Sequence, residues 1–114
     1  MSNPKYELVM YSRSTSCMFV SLAKRVLGGL NVPYRELMID ENPVYRQRVL
    51  DWTGFLSVPT LIIAEVGADL PYEPPAPLEK GASPRGVNRG SMLTEASEPE
   101  LIAWLRQHEL LPGK

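Results

Sequence analysis

The sequence predicts an α/β fold, a central sheet with helices packed on both of its faces. Three observations point to it. Short apolar runs of the kind that form buried strands alternate with segments whose apolar residues recur every three or four positions. Two helix starts are marked by capping residues, and one Pro/Gly-rich stretch separates the alternating part from a last strand and helix.

The elements follow in order. Residues 7–11 (ELVMY) are a short apolar run between Pro4 and a Ser/Arg/Thr cluster, which fits a buried strand. From Met18 onward Phe19, Val20, Ala23, Val26, Leu27 and Leu30 share one helical face, with Lys24 and Arg25 outside it and Gly28 and Gly29 weakening its end. Residues 34–39 (YRELMI) alternate imperfectly after Pro33 and read as a second strand. Asn42 and Pro43 open a second helix: the amide side chain accepts an orphan backbone N–H, and proline at the first helical position gives up a donor that has no partner there. Tyr45, Val49 and Trp52 line its buried face, and Gly54 stops it.

Residues 60–64 (TLIIA) form a continuous apolar run suited to a central strand buried on both faces. Residues 65–89 are different in kind. Pro71, Pro74, Pro75, Pro77 and Pro84, with Gly67, Gly81 and Gly86, preclude a long helix or a central strand, so this is an irregular insertion. Loops of this length are functional, cover another surface or are partly mobile. Residues 90–93 are a candidate edge strand, and Ser97-Glu98-Pro99-Glu100 has capping-box spacing ahead of the apolar Leu101, Ile102, Trp104 and Leu105. Trp52 and Trp104 read as core anchors, Arg46 and Arg48 as a solvated face, and His108 as a cation at a helix C-terminus.

A length of 114 residues suits one domain, 1–114. With 44% apolar and 22% charged residues the chain has the composition of a globular protein. A formal net charge of -1 argues against a nucleic-acid surface, and no apolar run approaches the ~20 residues that span a bilayer. The first six residues are too polar for a signal segment, which places the chain in the cytoplasm, with a monomer expected. One cysteine excludes an internal disulfide and an all-cysteine metal site, so no metal is expected. One histidine, His108, has no visible partners for a hydrolase triad.

The chemistry falls on one side chain. The end of the first strand reads Tyr11-Ser12-Arg13-Ser14-Thr15-Ser16-Cys17-Met18-Phe19-Val20, which places Cys17 where the first helix begins. The unpaired N–H groups and positive dipole end of a helix start stabilise a thiolate, and Arg13 adds a nearby positive charge.

This strand, the Tyr-Ser-Arg turn, the cysteine at a helix start and the Ser57-Val58-Pro59-Thr60 segment resemble a glutaredoxin. The resemblance implies a thioredoxin-like fold with a central mixed sheet. In that family a Cys-Pro-Tyr/Phe-Cys motif opens the first helix and a Thr-Val-Pro segment with a cis proline faces it. Cys17 matches the nucleophile, Met18 replaces the motif proline, Phe19 matches the aromatic, and Val20 stands in place of the resolving cysteine. Any activity is therefore expected to be monothiol.

The resemblance further implies that Val58 offers backbone hydrogen bonds to a glutathione-like peptide beside a cis Pro59. Glutathione would be a co-substrate rather than a bound cofactor, and glutathione or protein mixed disulfides the partners. Where the family has a Gly-Gly-x-Asp-like turn this chain reads Arg89-Gly90-Ser91-Met92-Leu93-Thr94-Glu95, so the acidic turn looks absent and Ser91 or Thr94 is its stand-in. The expected function is a glutathione-linked thiol–disulfide oxidoreductase acting through Cys17, with Arg13, Phe19, Val58, Pro59 and Ser91 at the substrate. The alternatives are a non-catalytic interaction module of the same fold and, against the bulk of Met18 and Val20, an iron–sulfur cluster carrier.

Overall fold

A computed structural model describes residues 5–15 and 17–111. Most of the polar amino-terminal stretch discussed above lies outside the described residues. The elements run β1 (Tyr6–Ser12), α1 (Met18–Gly29), β2 (Arg35–Met38), α2 (Pro43–Thr53), β3 (Thr60–Glu65), β4 (Met92–Thr94) and α3 (Glu98–Gln107). The sheet order is β2-β1-β3-β4, with β1 parallel to β2 and antiparallel to β3, and β3 antiparallel to β4. This mixed sheet with its three helices is the thioredoxin-like arrangement.

Alternate residues of each strand point to opposite faces, and this divides the core in two. Leu8 and Met10 of β1, with Leu61 and Ile63 of β3, pack against Ala23, Val26 and Leu27 of α1 and Leu101, Trp104 and Leu105 of α3. Val9, Tyr11 and Ile62 face the other way, toward Val49 of α2. The two central strands therefore read as unbroken apolar runs because both of their faces are covered. The edge strand β2 is half-buried along its length, which explains its imperfect alternation.

Helix ends follow the capping chemistry. Asn42 Oδ1 accepts Val44 N–H at 2.9 Å, and Gly54 closes α2 with φ +79°, a conformation that favours glycine. Ser97 and Glu100 form the reciprocal capping box of α3. α1 ends at Gly29, where the two glycines were expected to weaken it. Gly28 and Gly29 both remain helical, and the stop comes from Asn31 in the left-handed region (φ +58°), after which Val32 N–H returns to Leu27 O at 2.9 Å. The last strand shifts: Gly90 turns at φ +79°, and the strand runs Met92–Thr94 rather than over residues 90–93.

The Pro/Gly-rich segment folds back onto the body. Tyr72 N–H donates to Ile63 O at 2.9 Å, and Ala76 N–H to Arg89 O at 3.0 Å. Residues 85 and 88 bridge to the outer edge of β4, covering backbone groups that would otherwise be an open edge. No helix among the described residues is long and apolar enough to cross a membrane.

Candidate functional site around Cys17

Cys17 is the N-cap residue of α1, with extended backbone angles (φ -151°, ψ 133°), and its carbonyl accepts the first helical bond from Ser21 N–H at 2.9 Å. Ser, Thr, Asn or Asp at such a position would turn an oxygen back onto the helix amides. Cys17 makes no side-chain cap. Its half-buried Sγ instead lies 3.8 Å from Val58 O, toward which the thiol donates. The strand end and helix start thus set the sulfur between the free amides of α1 and the segment before β3.

That facing segment contains a cis Val58-Pro59 bond. It is held from three sides. Thr60 Oγ1 donates to Ser57 O at 2.8 Å and lies 3.1 Å from Thr94 Oγ1, both contacts being buried. Glu95 donates its backbone N–H to Pro59 O at 3.0 Å. Among the described residues the Val58 amide has no acceptor, so its N–H is free to pair with an extended chain lying along the segment.

The structure brings Cys17, Val58 and Pro59 together. Phe19, on the first turn of α1, lies beneath the guanidinium of Arg85, 4.9 Å from the ring centroid. Arg13 is half-buried beyond the end of β1, and its Nε has no hydrogen-bond partner among the described residues. It lies toward Asp40. The Asp40 carboxyl is held below its ordinary value mainly by the Ser14 hydroxyl, helped by the Ser14 amide and the Arg13 charge.

Ser91 is not brought to this site. It is 0% exposed, donates to Glu73 O at 2.8 Å, and its carbonyl accepts Ile63 N–H, which sets it well down the sheet from the Thr60 level. Thr94, directly opposite Thr60 in register, is the β4 hydroxyl at the cysteine end. The turn after β4 also proves acidic: Glu95 stands there at φ +47°, with its carboxylate 3.7 Å from Arg85 Nε. Sequence reasoning missed Glu95 because the strand lies later than expected, and Arg85 because nothing local ties residue 85 to Phe19. Among the described residues no three His, Cys, Asp or Glu side chains group closely enough to hold a metal.

Arg48 differs from expectation, while His108 lies at the helix end as expected and has a further partner. Arg48 is not simply solvated: it donates to Tyr11 OH at 3.1 Å. His108 sits at the C-cap of α3 with Nε2 2.7 Å from Gly90 O and its ring edge-on to Trp104 at 5.2 Å, so it ties the turn before β4 to the helix. Trp104 is buried as expected, and Trp52 is half-buried, edge-on to Tyr11 at 5.1 Å.

A sheet of this topology, with a cysteine heading its first helix and a cis proline set against the sulfur, defines a thioredoxin-fold protein of the thiol-exchange class. The particular family follows from sequence comparison. The family model for glutaredoxin matches residues 8–67, and the chain belongs to the glutaredoxin family. The match takes in Cys17 and the Val58-Pro59 segment and stops at the start of the insertion, so β4 and α3 are added by the fold rather than by the match. The family supplies the general activity, thiol–disulfide exchange on glutathione and protein disulfides. No curated protein sequence matches the chain.

Proposed function

We propose that the chain is a glutathione-linked thiol–disulfide oxidoreductase that works by a monothiol mechanism through Cys17. The observation that carries this reading is the Cys17 sulfur lying 3.8 Å from Val58 O, half-exposed at the start of α1, beside a Val58 amide that has no acceptor among the described residues. The Cys17 thiolate attacks the glutathione sulfur of a mixed disulfide. A Cys17–glutathione bond forms, and the other partner leaves as a thiolate that takes up a proton. A second glutathione thiolate then attacks the glutathione sulfur of that adduct, releasing Cys17 and glutathione disulfide. Cys17 is the only cysteine in the sequence, and Val20 occupies the place three residues on, so resolution comes from glutathione rather than from a protein thiol.

The chain's own residues supply placement. The attacking sulfur stands at the start of α1, beside the unpaired amides of its first turn. Val58 gives the substrate backbone an edge to pair with, and Arg13 and Phe19 flank the same end of the sheet. Exposed Met18, Phe55 and Leu56 offer apolar surface to a protein that bears the disulfide. Nothing in this scheme needs a permanently bound cofactor.

The test is intact-mass detection of a Cys17–glutathione adduct on exposure to a glutathionylated peptide, followed by its release with excess glutathione. Adduct and turnover are expected in the native chain, and neither in Cys17→Ser. A folded native chain that forms no adduct would overturn the reading and favour a non-catalytic interaction module.

A further inference from the structure

The insertion between β3 and β4 delivers one cation to the rim of the cysteine site. Arg85 stacks over Phe19, two residues beyond Cys17, with 4.9 Å between guanidinium carbon and ring centroid. Its Nε lies 3.7 Å from Glu95, whose amide holds Pro59 O. Its backbone is fixed as well, because residue 85 bridges to Thr94 and Gly86 N–H donates to Thr94 O at 2.8 Å. Cys17, Val58, Pro59, Glu95, Arg85 and Phe19 therefore form a chain of contacts that returns to α1 two residues beyond the cysteine, and Arg85 is the one member that comes from the insertion.

Three features leave this arginine open to a ligand. Its side chain is 61% exposed, whereas that of Glu95 is 15% exposed. At 3.7 Å the Glu95 contact is longer than a hydrogen bond, and among the described residues the Arg85 side chain donates no hydrogen bond. A cavity of about 300 Å³ opens beside it, walled by Phe55, Leu56, Ser57 and Pro84 with Arg85 and Glu95 at its charged end. Stacking on an aromatic face orients a guanidinium while leaving its planar edge of donors outward, the geometry that receives a carboxylate.

We propose that Arg85 determines specificity, selecting disulfides that carry a carboxylate near the sulfur under attack. This rests on the thiol–disulfide reading above. Arg85 takes no part in the exchange itself: the Cys17 thiolate bonds to one sulfur, the other sulfur leaves as a thiolate, and Arg85 holds the carboxylate of the half that stays attached. Because Glu95 already balances part of its charge, the selectivity is modest.

The experiment measures rates of Cys17 adduct formation by intact mass with three symmetrical disulfides: dithiodipropionate (anionic), hydroxyethyl disulfide (neutral) and cystamine (cationic). Native chain, Arg85→Met and Arg85→Lys are compared for each disulfide separately, so that intrinsic reactivity cancels. Arg85→Met is expected to slow the anionic disulfide about three- to fivefold at low salt, to leave the neutral one unchanged and to speed the cationic one, with Arg85→Lys in between. In the native chain added salt should slow the anionic disulfide and not the neutral one, a reading that needs no variant. Equal changes for all three disulfides, with no selective salt effect, would overturn the role of Arg85 and leave the oxidoreductase reading standing. Failure of the native chain to form any adduct would overturn both.

Discussion

At the scale of single residues, the segment facing Cys17 depends on hydroxyl groups that have no room for error. Thr60 satisfies Ser57 O at 2.8 Å and meets Thr94 Oγ1 at 3.1 Å, in surroundings that exclude water. A buried polar group stripped of its partner costs about 1–3 kcal/mol. Thr60→Val keeps the shape and removes the hydroxyl, so it should lower stability to urea by about 1–3 kcal/mol. It should also slow Cys17 adduct formation, because Ser57 O loses the hydroxyl that holds it, while Pro59 O keeps only its bond from Glu95 N–H. Thr60→Ser should restore most of both, and an unchanged urea midpoint in Thr60→Val would show that this hydroxyl carries no weight.

Asp40 gives a second prediction at this scale. Its pKa is depressed by the Ser14 hydroxyl first, then by the Ser14 amide and the Arg13 charge. A depressed folded value means that its support for the β1–α1 connection is present at neutral pH and above. That support is lost as pH falls below the ordinary carboxylate range and through the lowered value. The Ser14 amide resonance should therefore move in an acid step below the usual aspartate value, and Asp40→Asn should abolish that step. A Ser14 amide that is insensitive to pH across the acid range would sink the assignment.

At the scale of elements, the insertion is an anchored cover, and Arg89 is its main staple. This side chain is only 7% exposed, yet it donates to Ala76 O at 2.7 Å, to Trp52 O at 2.6 Å and toward Met92 Sδ at 3.5 Å. Burial lowers its pKa, as expected for a cation served by carbonyls. Trp52 lies in the last turn of α2, where exposed carbonyls form the negative end of the helix dipole, so the guanidinium caps α2 while tying down the insertion. Arg89→Met leaves two carbonyls without a charged donor and should cost about 2–4 kcal/mol. Hydrogen exchange should then quicken across the insertion and the end of α2 while the centre of β1 stays protected. Exchange that rose uniformly across the whole sheet would contradict this placement.

The succession of strands and helices along the chain, the capping of α2 and α3 and the place of Cys17 were legible because each depends on neighbours within a few residues. The cis proline was legible only through the family resemblance. The course of the insertion was not, because its anchors join distant residues: Arg89 reaches Trp52, and Tyr11 reaches Asp69. Ser91 falls outside the site because the strand lies later than the residues suggest, and Arg85, a lone arginine between proline and glycine, carries no local signature.

At the scale of the whole molecule, one phenol joins three parts that are otherwise separate in sequence. Tyr11 sits in β1 with its ring buried edge-on to Tyr45 and Trp52 of α2, at 5.8 and 5.1 Å. Its hydroxyl donates to Asp69 O of the insertion and accepts from Arg48 of α2 at 3.1 Å. Burial raises its pKa above the ordinary 10.0, and Arg48 offsets this only in part. Tyr72, packed on Tyr6 at 4.8 Å, is also raised, by burial first and then by neighbouring Glu73. For an acid whose folded pKa exceeds its unfolded one, the stabilisation is complete below the unfolded value. It drains away as pH climbs from there toward the folded value. Stability should therefore hold through neutral pH and fall above about pH 10, with strand, helix and insertion releasing together because Tyr11 links all three. In a spectroscopic titration, tyrosinate from Tyr11 should appear only with the loss of helical signal. Tyr11→Phe should be about 1–2 kcal/mol less stable at neutral pH, since Asp69 O and Arg48 lose a partner, and should show a shallower alkaline decline. If every tyrosine ionised at its ordinary value while the fold remained intact, the buried phenol would not be the link that joins these parts.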